Sequence, residues 1–179
     1  MLPRPTIEAF DAWLADADLR LDAVVVGGSA LALLGISDRQ TRDVDVLHPE
    51  LPEDIARAAR AFALHLRGEG VDLGDDWLNN GPIQLADVLP DGWRHRLQVA
   101  FEGAAVTLTT LGRPDLLASK LFALCDRGTD LADCVALAPT SKELEQAEPW
   151  LVEQDANPLW PEHVRRTLRD LLTRLSDGV

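Results

Sequence analysis

The sequence predicts an α/β (α+β) fold: an α/β head over residues 1–112 and a helical C-terminal region over residues 113–179, packed on the head as one compact unit. Two observations carry this. Segments that read as strands lie in the first two thirds of the 179-residue chain, and helical spacing dominates the last third. Within the head, short apolar runs ended by turn residues alternate with stretches of helical periodicity.

Each element has its own signal. Residues 6–17 read as a helix, with Ile7, Phe10, Trp13 and Leu14 on one face and Thr6 as a candidate cap. Residues 23–26, a continuous apolar run closed by Gly27-Gly28, read as a buried central strand. Residues 29–34 resume as a small-residue helix that ends near Gly35, and residues 42–47 alternate acid and apolar side chains as a strand does. Residues 52–66 form the next helix, with Pro52 in its first turn. Residues 68–92 are turn-rich and read as irregular, either a substrate loop or a peripheral elaboration. Residues 96–101 and 105–110 read as a hairpin turning at Glu102-Gly103-Ala104. Helices follow at 113–127 and 129–138, then one capped by Thr140 with Glu143 completing a capping box. Pro149 starts or kinks a further turn, and the last helix spans 161–175.

Composition narrows the function. Hydrophobic residues make up 46% of the chain, enough for a core, which excludes wholesale disorder. The net charge of -13 argues against non-specific DNA binding, because phosphate affinity rests on many Lys and Arg. No run of about 18 apolar residues occurs, so no membrane span is expected. The N-terminal MLPRPTIEAF lacks a basic region followed by an apolar stretch, so no secretory signal is expected and the protein is placed in the cytoplasm. Cys125 and Cys134 are nine residues apart, which is not a CxxC pair, and are expected to be reduced, buried thiols. His48, His65, His95 and His163 show no metal-ligand spacing, and Ser29 sits in no Gly-x-Ser-x-Gly elbow, which disfavours zinc and hydrolase chemistry. The five tryptophans are too dispersed for a stacking platform and read as core or loop anchors.

The informative stretch runs from Val24 to Val46. A buried strand ends in Gly27-Gly28, and Ser29 then opens a helix. Glycines allow a ligand close to the backbone, and a helix N-terminus offers free N–H groups to an anion. After a further thirteen residues come Asp43 and Asp45, two acids at i and i+2 whose neighbours Val44, Val46 and Leu47 are apolar. Two carboxylates side by side repel unless a cation lies between them, and a divalent metal with a polyphosphate is the natural neutraliser. A phosphate turn beside a carboxylate pair suits phosphoryl or nucleotidyl transfer.

These residues resemble the nucleotidyltransferases of the DNA polymerase β type. Gly28-Ser29, the thirteen-residue spacer and Asp43-Val44-Asp45-Val46 match that pattern, and Arg39 and Thr41 with the Gly-Gly-Ser-Ala-Leu turn are similar to its AbiEii-like branch of toxins and uncharacterised relatives. A second segment agrees with it: Lys120, Arg127 and Asp130-Leu131-Ala132-Asp133, with Thr129 where that branch has a lysine. The resemblance covers roughly residues 22–138. It implies a minimal nucleotidyltransferase fold, a small mixed sheet flanked by helices. It implies that Gly27, Gly28 and Ser29 hold nucleotide phosphates, that Asp43 and Asp45 bind Mg²⁺ or Mn²⁺, that Lys120 contacts phosphate, and that Asp130 orients Lys120 or activates the acceptor. Arg39 and Arg127 are further candidates for the nucleotide. A third carboxylate is expected on a later strand, and Glu102 is the only candidate on the hairpin.

The expected activity is metal-dependent transfer of NMP from an NTP to an RNA, protein or small-molecule acceptor, with a cognate antitoxin as a partner if the toxin branch applies. The alternative is a catalytically degenerate nucleotide-binding or partner-binding regulator of the same fold, favoured by Thr129 and by the lack of a clear third acid. Lys120, Asp130 and Asp133 also have ordinary readings, as a surface lysine and as acids at a helix start. Arg165, Arg166, Arg169 and Arg174 form a small basic patch on the last helix and read best as a solvated face.

Overall fold

A computed structural model describes residues 1–177; Gly178 and Val179, which the expected C-terminal region includes, lie outside the described residues. The chain divides into two compact units, Met1–Leu111 and Gly112–Val179.

The first unit is built on one five-stranded mixed sheet in the order β3-β2-β1-β5-β4. Its strands are β1 (Leu21–Val26), β2 (Val44–His48), β3 (Leu78–Asn79), β4 (Gln98–Glu102) and β5 (Val106–Thr110). β1 pairs antiparallel with β2 and parallel with β5; β3 runs parallel to β2, and β4 antiparallel to β5. Helices α1 (Pro3–Asp16), α2 (Gly27–Leu33) and α3 (Glu53–Gly68) join them. Ile7, Phe10 and Leu14 of α1 and Ile55, Ala59, Phe62 and Ala63 of α3 share a core with Ala23, Val25, Val44, Val46, Val106 and Leu108 of the strands. Its aromatic centre is Phe10, Phe62 and Trp77, with ring centroids 5.0 to 5.7 Å apart. Trp77 is fully buried and donates its Nε1–H to the Ala59 carbonyl at 3.0 Å. The tryptophan thus satisfies its polar handle while filling the core.

The turn between β4 and β5 is held from α1. The Asp11 carboxylate accepts the N–H groups of Ala104, Ala105 and Val106 at 3.0, 2.8 and 2.7 Å. Burial works to raise its pKa, and these three donors outweigh that and hold it below the ordinary value. Gly103 packs against the same carboxylate, where a side chain would collide with it.

Several boundaries differ from the sequence expectation. α1 begins at Pro3 because prolines fit the first helical turn, and Thr6 lies inside it, donating its hydroxyl to the Leu2 carbonyl at 2.9 Å instead of capping. β3 falls in the stretch expected to be irregular. The rest of that stretch carries one short 3₁₀ turn, Ile83–Asp87; a second, Trp93–Arg96, follows it and takes up the expected start of the hairpin, so β4 begins at Gln98 and includes Glu102, which was expected in the turn.

The second unit contains α4 (Arg113–Arg127), α5 (Leu131–Leu137), α6 (Ser141–Val152) and α7 (Trp160–Ser176). Pro149 neither ends nor restarts a helix; α6 runs through it to Val152. The expected capping box is present. Thr140 Oγ1 accepts the Glu143 N–H at 3.2 Å, and Glu143 Oε2 accepts the Thr140 N–H at 2.9 Å. Glu143 also takes a two-point contact from Arg113, at 2.6 and 3.3 Å, which ties the start of α4 to the start of α6. No helix among the described residues is long and apolar enough to cross a membrane.

The Arg113 contact, helped by the Thr140 N–H, lowers the Glu143 pKa from 4.5 to about 2. The folded state therefore favours the charged carboxylate. That contribution is complete above about pH 4.5 and is lost as pH falls toward 2. Glu143→Gln is expected to lower Tm at pH 7 by a margin that narrows steadily between pH 5 and pH 3. A margin independent of pH would contradict the assignment.

Candidate active site

β2 lies between β1 and β3, and the register sets Asp45 opposite Val26 on one side and Asn79 on the other. Val44 and Val46 are fully buried, while Asp43 and Asp45 are half-buried. Strand alternation turns the valines into the core and leaves the two acids on the other side. Asp43 directly precedes the strand, and its carbonyl accepts the Thr41 hydroxyl at 3.1 Å.

β1 ends at Val26 and the chain turns at once into α2. The helix opens at Gly27, two residues before the expected Ser29, so both glycines lie in its first turn. Gly27 has φ +77°, a conformation that side chains resist, and a Cβ there would stand 2.7 Å from Asp45 Oδ2. A Cβ on Gly28 would stand 3.0 Å from Thr41 Cγ2, and Gly28 is not left-handed. Gly27 is thus the glycine that both conformation and space require. Ser29 is buried and donates its hydroxyl to the Val26 carbonyl at 3.2 Å, which fastens the turn. First-turn N–H groups of a helix have no intrahelical acceptor, so Gly27, Gly28 and Ser29 direct such donors to the helix end that abuts Asp45. Arg39 is exposed in the loop between α2 and β2.

The first unit therefore brings together Gly27, Gly28, Ser29, Asp43 and Asp45. It does not bring Glu102 to them. Glu102 pairs with Thr107, which is level with Asp22 near the start of β1, whereas Asp45 is level with Val26 at its end. Four residues along a strand is roughly 13 Å, and three strand spacings is about 14 Å. The third acid expected from the resemblance is not Glu102.

The second unit gathers a separate ionic cluster. Lys120 is buried, and its Nζ lies 2.6 Å from Asp133 Oδ2 and 3.4 Å from Asp130 Oδ1. Arg127, largely exposed, reaches 4.0 Å from Asp130 Oδ2. Lys120 is therefore not a surface lysine. Asp130 is the N-cap of α5 with φ +64°, and no capping bond comes from its side chain; the carboxylate turns to Lys120 instead. Asp133, which the sequence offers both as part of the Asp-x-x-Asp motif and as a helix-start acid, is 3% exposed and lies 2.6 Å from Lys120 Nζ. Its signal was the Asp-x-x-Asp spacing, but nothing in the spacing shows that it is buried. Burial raises the neighbouring Cys134 thiol to about 12, with Asp130 adding to the rise, and burial raises Cys125 to about 11. Both thiols are inert at neutral pH.

Among the described residues no group of three or more His, Cys, Asp and Glu could hold a metal ion. The donor set fits Mg²⁺ all the same, since that ion usually takes one or two carboxylates from a protein and its remaining oxygens from phosphate and water. The cradle fits as well, because Gly27 leaves the space beside Asp45 Oδ2 without a side chain.

A glycine turn into a helix, packed against a strand with paired carboxylates, is an arrangement compatible with phosphate-group transfer chemistry. Residues 6–138 match the family described as nucleotidyltransferase of unknown function (DUF6036), and the chain belongs to it. No curated protein and no solved structure matches the chain. The family match takes in the whole sheet, α4 and α5, and so both ionic clusters, while α6 and α7 lie beyond it.

Two stability measurements test this geometry. Gly35 also has a positive φ, +72°, but a Cβ there meets nothing within 4 Å. Gly35→Ala is expected to cost about 1 kcal/mol for the backbone alone. Gly27→Ala is expected to cost at least about 1 kcal/mol more, because Asp45 must also move. Equal costs in urea unfolding would show that Asp45 does not constrain the turn. For the second cluster, Lys120→Met is expected to cost about 3–5 kcal/mol by leaving Asp133 charged and buried, and adding Asp133→Leu is expected to recover most of that. A single variant as stable as wild type would mean that water reaches the pair.

Proposed function

We propose that this chain is a cytoplasmic, metal-dependent nucleotidyltransferase that moves NMP from an NTP to an acceptor. The observation that carries the reading is the approach of the Gly27 backbone to Asp45 Oδ2, which packs a phosphate-type turn directly against the carboxylate strand. In this reading the N–H groups of Gly27, Gly28 and Ser29 take phosphate oxygens, and Arg39 reaches the triphosphate from its exposed loop. Asp43 and Asp45 would hold Mg²⁺ or Mn²⁺, which offsets negative charge on the phosphates. The acceptor hydroxyl gives up its proton to solvent and its oxygen bonds to the α-phosphorus as the bond to the departing pyrophosphate breaks. Lys120 as a phosphate contact, Arg127 as a nucleotide contact and Asp130 as the group that orients Lys120 rest on the resemblance to the polymerase β type. The 3.4 Å contact between Lys120 and Asp130 supports the orienting role.

The net charge of -13 favours a protein or small-molecule acceptor over RNA. Membership of the AbiEii-like branch would add a cognate antitoxin as partner. The inert, buried thiols suit a reducing compartment. One observation favours a second reading, a nucleotide-binding regulator without catalysis: Glu102 lies at the far end of the sheet from Asp45.

The test uses each α-labelled NTP with Mg²⁺ and cell lysate. Wild type is expected to label an acceptor, and Asp43→Asn to lose at least about a hundredfold in rate while keeping its fold. Mn²⁺ is expected to raise the Tm of wild type and not of Asp43→Asn. Saturable NTP binding with no labelled product supports the regulator. Absence of both binding and labelling overturns the proposal.

A further inference from the structure

The paired strands around Asp45 carry a polar residue that the site as described does not use. Asn79 on β3 is the register partner of Asp45 on the side away from Gly27. Directly paired residues of neighbouring strands present their side chains to the same face. The Asn79 amide is fixed in orientation. Its Oδ1 accepts the Gly81 N–H at 2.6 Å, and its Nδ2 donates to the Asp76 carbonyl at 3.3 Å. Exchanging the oxygen and nitrogen would set a donor against a donor at one end and an acceptor against an acceptor at the other. The amide oxygen therefore faces Gly81.

That position is also where Asp45 looks. A Cβ on Gly81 would stand 2.8 Å from Asn79 Oδ1 and 3.8 Å from Asp45 Oδ1. Two oxygens, one of them anionic, thus border the side-chain-free space at Gly81, while the other carboxylate oxygen of Asp45 faces Gly27. The turn that brings Gly81 there is pinned by Asn80. Asn80 Oδ1 accepts the Leu51 N–H at 2.7 Å, and its Nδ2 donates to the Val46 and Pro49 carbonyls at 3.0 Å. This lock ties the turn after β3 to the chain leaving β2, the strand that carries Asp45.

We propose that Asn79 Oδ1 is a third protein ligand of the cation held by Asp43 and Asp45, a neutral amide oxygen standing beside the carboxylate pair. The proposal rests on the metal-dependent reading above and names the residue that completes its site. A carbonyl oxygen has two lone pairs, so Oδ1 can keep the Gly81 N–H and still coordinate. Amide oxygen is a hard donor of the kind that Mg²⁺ and Mn²⁺ accept. Because it adds no charge, Asp43 and Asp45 alone balance the double charge of the cation, and phosphate and water oxygens fill its remaining coordination positions.

The experiment is titration of the intact protein with Mn²⁺ alone, followed by the EPR signal of free Mn²⁺, in 0.5 M KCl to screen long-range charge. Wild type is expected to bind, Asn79→Ala to bind at least tenfold more weakly, and Asn79→Asp at least tenfold more tightly. Asp keeps the acceptor for the Gly81 N–H but loses the bond to the Asp76 carbonyl, so the variant's Tm and circular dichroism are compared with wild type to separate the ligand role from the turn. An Asn79→Asp protein with the affinity of wild type to within twofold overturns the proposal and leaves Asn79 as a turn residue, whatever Asn79→Ala does. Wild-type protein that binds no Mn²⁺, although folded, overturns the metal reading itself and this proposal with it.

Discussion

Everything at the candidate site depends on how closely Asp45 stands to the backbone of Gly27. The register of β1 and β2 sets Asp45 opposite Val26, so the residue after Val26 must turn the chain without a side chain. Glycine does both: it accepts φ +77°, and it leaves the 2.7 Å between its missing Cβ and Asp45 Oδ2 unfilled. α2 therefore starts at the edge of the carboxylate strand, and its free N–H groups lie near an acid. Donors and carboxylate would attract an anion and a cation respectively. A metal-bound polyphosphate satisfies both at once, and neither group alone would select it.

The second unit solves a different problem. A buried lysine is costly unless it is paired, and Lys120 has two acids, one of them as buried as itself. Asp130 reaches it from a left-handed backbone, which costs on the order of 1–3 kcal/mol and persists only where the surroundings hold it. Asp130 also forgoes capping α5, a role its residue type performs well. A segment that gives up both local preferences to deliver one carboxylate to one ammonium is organised around that ammonium. Lys120, Asp130 and Asp133 all fall inside the family match, unlike the α6–α7 part of the unit.

Much of this was legible from local signals. The α4 limits and the Thr140–Glu143 box appear where the residues place them, and the two strands around the glycine turn appear with shifted limits: β1 starts two residues earlier than its apolar run, and β2 starts after Asp43. What was not legible depends on distant partners. β3 is two residues long in a stretch of turn signals, and it is a strand because β2 offers it an edge and Trp77 anchors it among Phe10 and Phe62. No spacing rule distinguishes Gly27 from Gly28; the register with Asp45 does. Asp130 and Asp133 read equally well as helix-start acids, and only the fold shows that they meet Lys120. Asn79 and Asn80 fall in a stretch that reads as turns, yet Asn79 closes β3, and their side-chain oxygens serve Gly81 and Leu51.

The acidic surface bears on the partners. With 30 acids against 17 bases, a nucleotide would meet long-range repulsion, so in the proposed function its binding would rest on short-range groups in a small site and on a cation carried in with the phosphates. The most direct measurement of this account is a crystal structure of the protein with a non-hydrolysable NTP and Mg²⁺. The expected result is a cation on Asp43 and Asp45, with the triphosphate against the N–H groups of Gly27, Gly28 and Ser29. A triphosphate bound away from that turn, or a cation held by other groups while Asp43 and Asp45 touch only solvent, would contradict it.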